Sequence, residues 1–270
     1  MLTRIIKFQI FILIIIISQL VLAQSIKYVG KDVIINKTDG TTQSFRINTI
    51  DSITFSTIPT STVTDSEGNV YTTVKIGNQW WMAENLKVTK YRTGESILKV
   101  TSNSQWASLD DTETPAYCAY NNNDTYANSY GYLYNWYAAK DSRNIAPEGW
   151  RVATNADWEE LAQYVATENG YTKTDVNDWN NVGIHLKSTT GWDSNGNGTD
   201  DYFFNAIPVA DRSRTGSFGG PGIFAFFWSA SKPSFFNDQG WRRFLYYNDP
   251  HLDRDYWHME AGYSVRCVKE

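Results

Sequence analysis

An apolar segment at the N-terminus limits which part of this chain forms the folded protein. Arg4 and Lys7 precede a mostly apolar run from Phe8 to Ile17, and Val21-Leu22-Ala23 follows it. A basic start, a short apolar run and small residues before a cleavage point are typical of a secretory signal peptide. The run is too short to span a bilayer comfortably. We therefore predict cleavage after Ala23 and a secreted or cell-surface protein; an uncleaved N-terminal anchor is the alternative.

Removal of residues 1–23 changes the formal net charge from −5 to −7, because it takes away Arg4 and Lys7 and no acidic side chain. Proteins that bind nucleic acid usually carry basic patches, so we predict no nucleic-acid partner. No later stretch has the length and apolar character of a membrane-spanning helix. We therefore expect no membrane span after signal cleavage.

The two cysteines are interpreted in the light of export. Cys118 and Cys267 are the complete set in the sequence, and neither stands beside a histidine or in a Cys-x-x-Cys pair. A catalytic thiol therefore has no support. Two thiols in an oxidising compartment usually pair, so we predict a Cys118–Cys267 disulfide. Two separate buried thiols are the alternative.

Aromatic residues are the compositional outlier, with eleven Trp, seventeen Tyr and thirteen Phe. Rings of this kind build cores and also form surfaces that stack on sugars. Core packing is the favoured interpretation for any single ring. Trp241 and Trp257 lie among polar residues, and we predict that they are exposed binding rings.

The N-terminal part reads as short strands and cannot form a core alone. Residues 24–57 contain alternating β-formers around an Asp39-Gly40 step, which is a strong hairpin signal. About thirty residues bury too little surface to fold independently. The segment 58–62 has linker composition, and we start the main domain at residue 63 and end it at residue 270.

The main domain combines short strands, helices and long glycine-containing loops. The clearest helix follows Thr154, a capping residue, and ends before Gly170. Its predicted apolar face consists of Trp158, Leu161, Ala162 and Val165. Strand-like runs return near the C-terminus, so the pattern predicts an α+β fold. Loops of such length are usually functional or stabilised by a metal.

Several strings resemble one known family in the order in which they occur. They are DSEGNVYTTVKIGNQWWMAENL, YCAYNNN, YGYLYNWYAA, APEGWRVATNADWEEL, NGTDDYFFNAIP, FWSAS and GYSVRCVK. Over about residues 65–269 the chain is similar to the Fibrobacter succinogenes major paralogous domain family. The resemblance implies a C-type lectin-like α+β domain with short antiparallel strands, about two to three helices and long loops, distantly similar to formylglycine-generating enzymes. It implies no biochemical activity.

The chain departs from the family at three places. Arg151 and Ala153 stand where the family usually has His and Pro, beside a helix cap, and Val209-Ala-Asp-Arg212 replaces a Gly-Gly-Tyr-Arg stretch in what we expect to be a surface loop. The N-terminal segment, which ends in DSITFS, resembles a short module often found ahead of such domains in exported Bacteroidetes proteins.

One loop has the spacing of a calcium site. Asp193, Asn195 and Asn197 occupy the first, third and fifth places of an EF-hand-like loop, and Asp201 adds a further carboxylate. The twelfth place is Phe204, so the bidentate Glu of an EF-hand is missing. A looser Ca²⁺ site and a plain Asx-turn loop both remain, and the turn is the favoured interpretation.

No catalytic signature emerges from the sequence. It contains no nucleophile elbow, phosphate-binding loop or dinucleotide fingerprint, and its histidines, His185, His251 and His258, lack zinc-ligand spacing. The leading hypothesis is an exported non-enzymatic module that binds a glycan or a cell-surface protein. A polysaccharide-active enzyme or degraded relative of formylglycine-generating enzymes is the second hypothesis. A structural or adhesive cell-surface protein is the third.

Overall fold

In this computed structural model, residues 58–173 and 178–270 are described, apart from the side chain of Asp110, and the backbones of three strands are described within residues 1–57. The chain divides into two compact units, residues 1–57 and residues 58–270. Residues 1–22, which hold most of the predicted signal peptide, and residues 47–57, the end of the predicted N-terminal β segment, lie outside the described residues.

The first unit contains an antiparallel three-stranded sheet. Its strands are β1 (Ala23–Val29), β2 (Asp32–Lys37) and β3 (Thr42–Arg46), in that order. Strands β2 and β3 pair from Asp32 opposite Arg46 to Asn36 opposite Thr42. This pairing confirms the hairpin that the Asp39-Gly40 step predicts.

The second unit is built around a five-stranded antiparallel sheet in the order β10-β14-β6-β5-β4. The strands are β4 (Thr60–Thr64), β5 (Val70–Ile76), β6 (Gln79–Met82), β10 (Trp150–Val152) and β14 (Cys267–Lys269). The predicted linker 58–62 thus contributes three residues to an edge strand that pairs with β5. Strand β14 pairs with β10 and β6, so both ends of the domain meet in one sheet.

Two smaller sheets complete the β-structure of this unit. The first has the order β7-β8-β9, with β7 (Leu98–Lys99) parallel to β8 (Ala116–Cys118) and β9 (Leu133–Tyr134) antiparallel to it. The second is antiparallel and has the order β11-β12-β13, from Phe224–Trp228, Gln239–Tyr246 and Asp253–His258.

The five α-helices of the described residues are α1 (Asn103–Ala107), α2 (Ala127–Tyr130), α3 (Trp136–Lys140), α4 (Asn155–Glu168) and α5 (Val182–Leu186). Five is more than the two to three helices that the resemblance implies, because four of them have only four or five residues; α4 is the clearest helix that the sequence predicts. Thr154 and Asp157 form a reciprocal capping box, and the predicted apolar face is buried. None of the described helices has the length and apolar character that crossing a membrane requires. Mixed helices and small sheets confirm the α+β class.

Aromatic packing dominates the interior. Trp81, Trp158, Phe204 and Phe227 contact one another with ring centroids 4.8–6.2 Å apart. Eight of the eleven tryptophans are buried. Core packing therefore accounts for most of the aromatic excess, because each buried ring removes a large apolar area from water.

Buried arginines tie the long loops to the core. Arg266, fully buried, donates hydrogen bonds to the carbonyl oxygens of Met82, Phe204 and Asn205 and to Oδ1 of Asn85. Arg212 is also fully buried and donates to the carbonyl oxygens of Val100, Thr101 and Gly216. The segment expected to be a surface loop thus places Arg212 in the interior, because its guanidinium satisfies loop carbonyls there.

Candidate functional site

The candidate site lies on strand β13, where Trp257 has 42% of its surface exposed. In the hairpin of β12 and β13, Gly240 pairs with Trp257 and Arg242 pairs with Asp255. Residues two apart along a strand share a face of the sheet, so these four lie on the same face. Gly240 is required there, because an added Cβ would lie 2.4 Å from Cδ1 of Trp136.

Arg242 lies against the ring of Trp257. Its guanidinium carbon is 4.7 Å from the Trp257 ring centroid and 4.6 Å from that of Phe226. Its Nε and Nη2 donate to the two carboxylate oxygens of Asp255 at 2.5 and 2.8 Å, and its Nη1 donates to the Tyr263 hydroxyl at 2.5 Å. These contacts fix both the cation and the ring above it.

The charge of Arg242 is maintained although the side chain is buried. Burial lowers the pKa of Arg242, but the hydrogen bonds to Asp255 and Tyr263 and the nearby Asp255 charge raise it, and the net change is upward. The carboxylate of Asp255 remains 39% exposed. The pair therefore presents an oxygen acceptor to solvent on the same face of the sheet as the ring of Trp257.

The ring of His258 lies edge-on to the ring of Trp257, with centroids 5.8 Å apart. His258 follows Trp257 on β13, and Arg214 reaches it from a loop, with Nη1 of Arg214 3.3 Å from Nε2 of His258. We call the set of Trp257, Arg242, Asp255, His258 and Arg214 the Trp257 surface. It combines an exposed flat ring with hydrogen-bonding groups of both charges, which suits a ligand with an apolar face and polar edges.

Neighbouring rings on the same face are packed against each other. Phe224 stacks on Tyr246 at 4.7 Å and on Phe226 at 4.9 Å, with interplanar angles of 23° and 24°. Stacked rings cover each other's faces and leave mainly their edges to solvent. Trp257 is consequently better placed than these rings to stack on a ligand.

Trp241 lies on the opposite face of the same hairpin. It pairs with Tyr256, one position away from the Gly240–Trp257 pair. Its ring packs edge-on against Tyr256 and Phe235 at 5.4 and 6.3 Å, and the guanidinium of Arg254 lies 4.6 Å from its centroid. The structure therefore separates the two predicted binding rings, and Trp241 is only half-exposed.

The residues of the predicted calcium loop make internal contacts. Oδ1 of Asn197 accepts from the backbone N–H of Trp192 at 3.0 Å, and Oδ2 of Asp201 accepts from the Thr199 hydroxyl at 2.7 Å and lies 2.5 Å from Nδ1 of His185. Asp193 begins a short 3₁₀ turn that ends at Asn195, and its carboxylate packs against Gly222. Such contacts are those of a polar turn.

Metal ligands of the usual kinds are not grouped in the described ranges: no three His, Cys, Asp or Glu side chains there could hold an ion together. The five residues of the Trp257 surface include one carboxylate and two arginine cations. This composition suits a polar organic ligand and does not suit a metal cation.

The predicted disulfide is absent from the structure. Cys118 and Cys267 are both free and fully buried. They belong to different apolar clusters, Cys118 with Trp106 and Leu133 and Cys267 with Tyr71 and Val265. The prediction was wrong because compartment and cysteine number say nothing about where packing places each side chain.

Arg242 and Asp255 were missed by the sequence analysis. In the sequence, this pair appears as an Arg two positions after Gly240 on one strand and an Asp two positions before Trp257 on the next strand. Cross-strand opposite charges of this kind can be recognised once the register is known. The register itself is not apparent from the sequence, because the connection between Tyr246 and Asp253 is irregular.

Comparison with known families gives one match. The family model described as Fibrobacter succinogenes major domain matches residues 74–269. The matched range includes all of the Trp257 surface and every strand of the second unit after β4 except the start of β5. No curated protein and no solved structure matches the chain.

Proposed function

We propose that this chain, which belongs to the Fibrobacter succinogenes major domain family, is an exported, non-enzymatic module that binds glycans at the Trp257 surface. The observation that carries the proposal is the exposed ring of Trp257, fixed above the buried, ion-paired guanidinium of Arg242. A ring held in place loses little freedom when a ligand stacks on it, so more of the contact energy appears as affinity.

The chemistry around the ring supports a sugar as the ligand. A sugar ring has apolar C–H faces and a rim of hydroxyls, which matches a tryptophan ring with the Asp255 carboxylate on the same face of the sheet and the His258 ring beside it. The long loops and short strands of residues 63–270 also agree with the C-type lectin-like fold that we propose for this domain. A secreted or cell-surface location would bring the domain to extracellular glycans.

The test is binding to a broad panel of immobilised polysaccharides and oligosaccharides by wild type and Trp257→Ala. We expect wild type to bind at least one glycan and Trp257→Ala to lose about tenfold or more in affinity, as expected when a central aromatic contact is removed. Phe235→Ala is the matched control, because Phe235 is 63% exposed and packs with Trp241 on the other face of the hairpin.

Two outcomes would contradict the proposal. The first is no binding by wild type on the whole panel. The second is release of reducing sugar from a bound polysaccharide that disappears on substitution of a single carboxylate, since that result would identify an enzyme.

A further inference from the structure

A cleft of about 230 Å³ lies between the end of helix α3 and the strand that leads into α4. The residues that line it include the small apolar residues Ala139, Val152 and Ala230. They also include the polar residues Lys140, Ser142, Asn144 and Arg151. Small side chains leave space for a hollow, and the polar residues around it suit a small hydrophilic ligand.

One cation that lines the cleft forms no ion pair with a described residue. Asp141 lines the cleft but receives a bidentate pair of hydrogen bonds from Arg143 at 2.9 and 2.6 Å. Arg151 forms an ion pair with both carboxylate oxygens of Asp157. Lys140 is exposed, and the described residues offer its ammonium no ion pair. Arg143 also lies 3.7 Å from a carboxylate oxygen of Glu95, so both arginines are balanced and the Lys140 ammonium is the cation that remains available to an anionic group.

Donors for further polar groups surround Lys140. Oδ1 of Asn144 accepts from the backbone N–H of Ala146 at 2.8 Å, which leaves the Asn144 amide hydrogens available. Arg151 is 38% exposed and has five N–H donors, of which its ion pair with Asp157 engages two. Ser142 adds a hydroxyl. Hydroxyl-bearing ligands use donors of this kind.

We infer that this cleft binds a single carboxylated sugar unit, with the carboxylate on Lys140 and the hydroxyls toward Ser142, Asn144 and Arg151. The inference rests on the proposed glycan-binding function and names an acidic sugar as part of the ligand. The cleft volume is below the roughly 300–1,000 Å³ of pockets for drug-sized ligands, which limits it to about one ring. The net charge of −5 opposes the approach of a polyanion, so we expect one acidic unit within a mostly neutral glycan.

The experiment is an NMR titration of the full chain with D-glucuronate, D-glucose and acetate. We expect D-glucuronate to bind weakly and to shift the backbone amide signals of Lys140, Ser142 and Asn144. Lys140→Gln should weaken this binding about tenfold, as expected for loss of a charge-assisted hydrogen bond. Lys75→Gln is the control, because Lys75 is an exposed lysine on strand β5.

Equal affinity for D-glucuronate and D-glucose, unchanged affinity in Lys140→Gln, or no shift at these amides would overturn the inference. Acetate binding as tight as D-glucuronate would overturn the sugar part of it. Trp257→Ala separates this inference from the proposed function. It should reduce binding to the polysaccharide panel and leave the D-glucuronate affinity unchanged, whereas Lys140→Gln should preserve binding to neutral glycans.

Discussion

The buried side chain of Arg266 has only amide oxygens as hydrogen-bond partners. Position 266 therefore requires a side chain with several N–H donors. Arg266 bonds Met82, Phe204, Asn205 and Asn85, and burial lowers its pKa to about 9. Replacement by Met leaves these acceptors buried without donors. Each unsatisfied group costs about 1–3 kcal/mol, so we expect Arg266→Met to lose about 3 kcal/mol or more of unfolding free energy.

Urea unfolding measures this loss. Arg266→Lys keeps the charge but lacks the planar guanidinium, so its free energy of unfolding should lie between those of Arg266→Met and wild type. Arg214→Met, at an exposed arginine, is the control and should change stability little. A loss below about 1 kcal/mol for Arg266→Met would show that the loops do not depend on this side chain.

The two cysteines allow a second test at the residue scale. Burial raises the pKa of Cys118 to about 11 and moves the pKa of Cys267 upward as well. A buried, protonated thiol reacts slowly. We expect a thiol reagent to label neither cysteine in the native protein and both in denaturant without reductant. An intact mass lower by two hydrogens, with no labelling in denaturant, would restore the disulfide.

Among the elements, strand β13 carries a carboxyl group that opposes folding at high pH. Burial, then the charges of Asp178 and Asp249, raise the pKa of Asp253 to about 7. Because the unfolded chain ionises this group at lower pH than the folded protein does, the group destabilises the fold as pH rises from about 4 to 7. Asp253→Asn imitates the neutral acid and removes this dependence.

We expect the melting temperature of Asp253→Asn to exceed that of wild type at pH 8 and the difference to shrink toward pH 5. Each kcal/mol recovered corresponds to about 2–4 °C for a domain of this size. Asp111→Asn, at an exposed position, should follow wild type at both pH values. A difference in melting temperature between Asp253→Asn and wild type that stays constant from pH 5 to pH 8 would refute the expected effect.

Elements with local signals could be predicted from the sequence, and those that depend on distant partners could not. Helix α4 was predictable because its cap and apolar face lie within one segment. The start of strand β4 has the composition of a linker, because its Ser and Thr residues are exposed and only pairing with β5 defines the strand. Likewise, a shift of the β12–β13 register by one residue would place Trp241 opposite Trp257, so the site depends on a register that the sequence leaves open.

For the whole molecule, the two-unit division predicts that residues 58–270 fold without residues 1–57. We expect a single cooperative thermal transition for residues 58–270, at the temperature of the main transition of the longer chain. A truncation to residues 65–270 removes β4 and its backbone pairing, so it should be less stable by about 1–2 kcal/mol. Loss of the cooperative transition in residues 58–270 would contradict the division.

The position of strand β14 also determines when the domain can fold. The strand lies between β10 and β6, yet Cys267 is synthesised long after Met82. A growing chain therefore lacks an inner strand of this five-stranded sheet until residues 267–269 have left the ribosome, and the pairing that completes the sheet joins residues far apart in sequence.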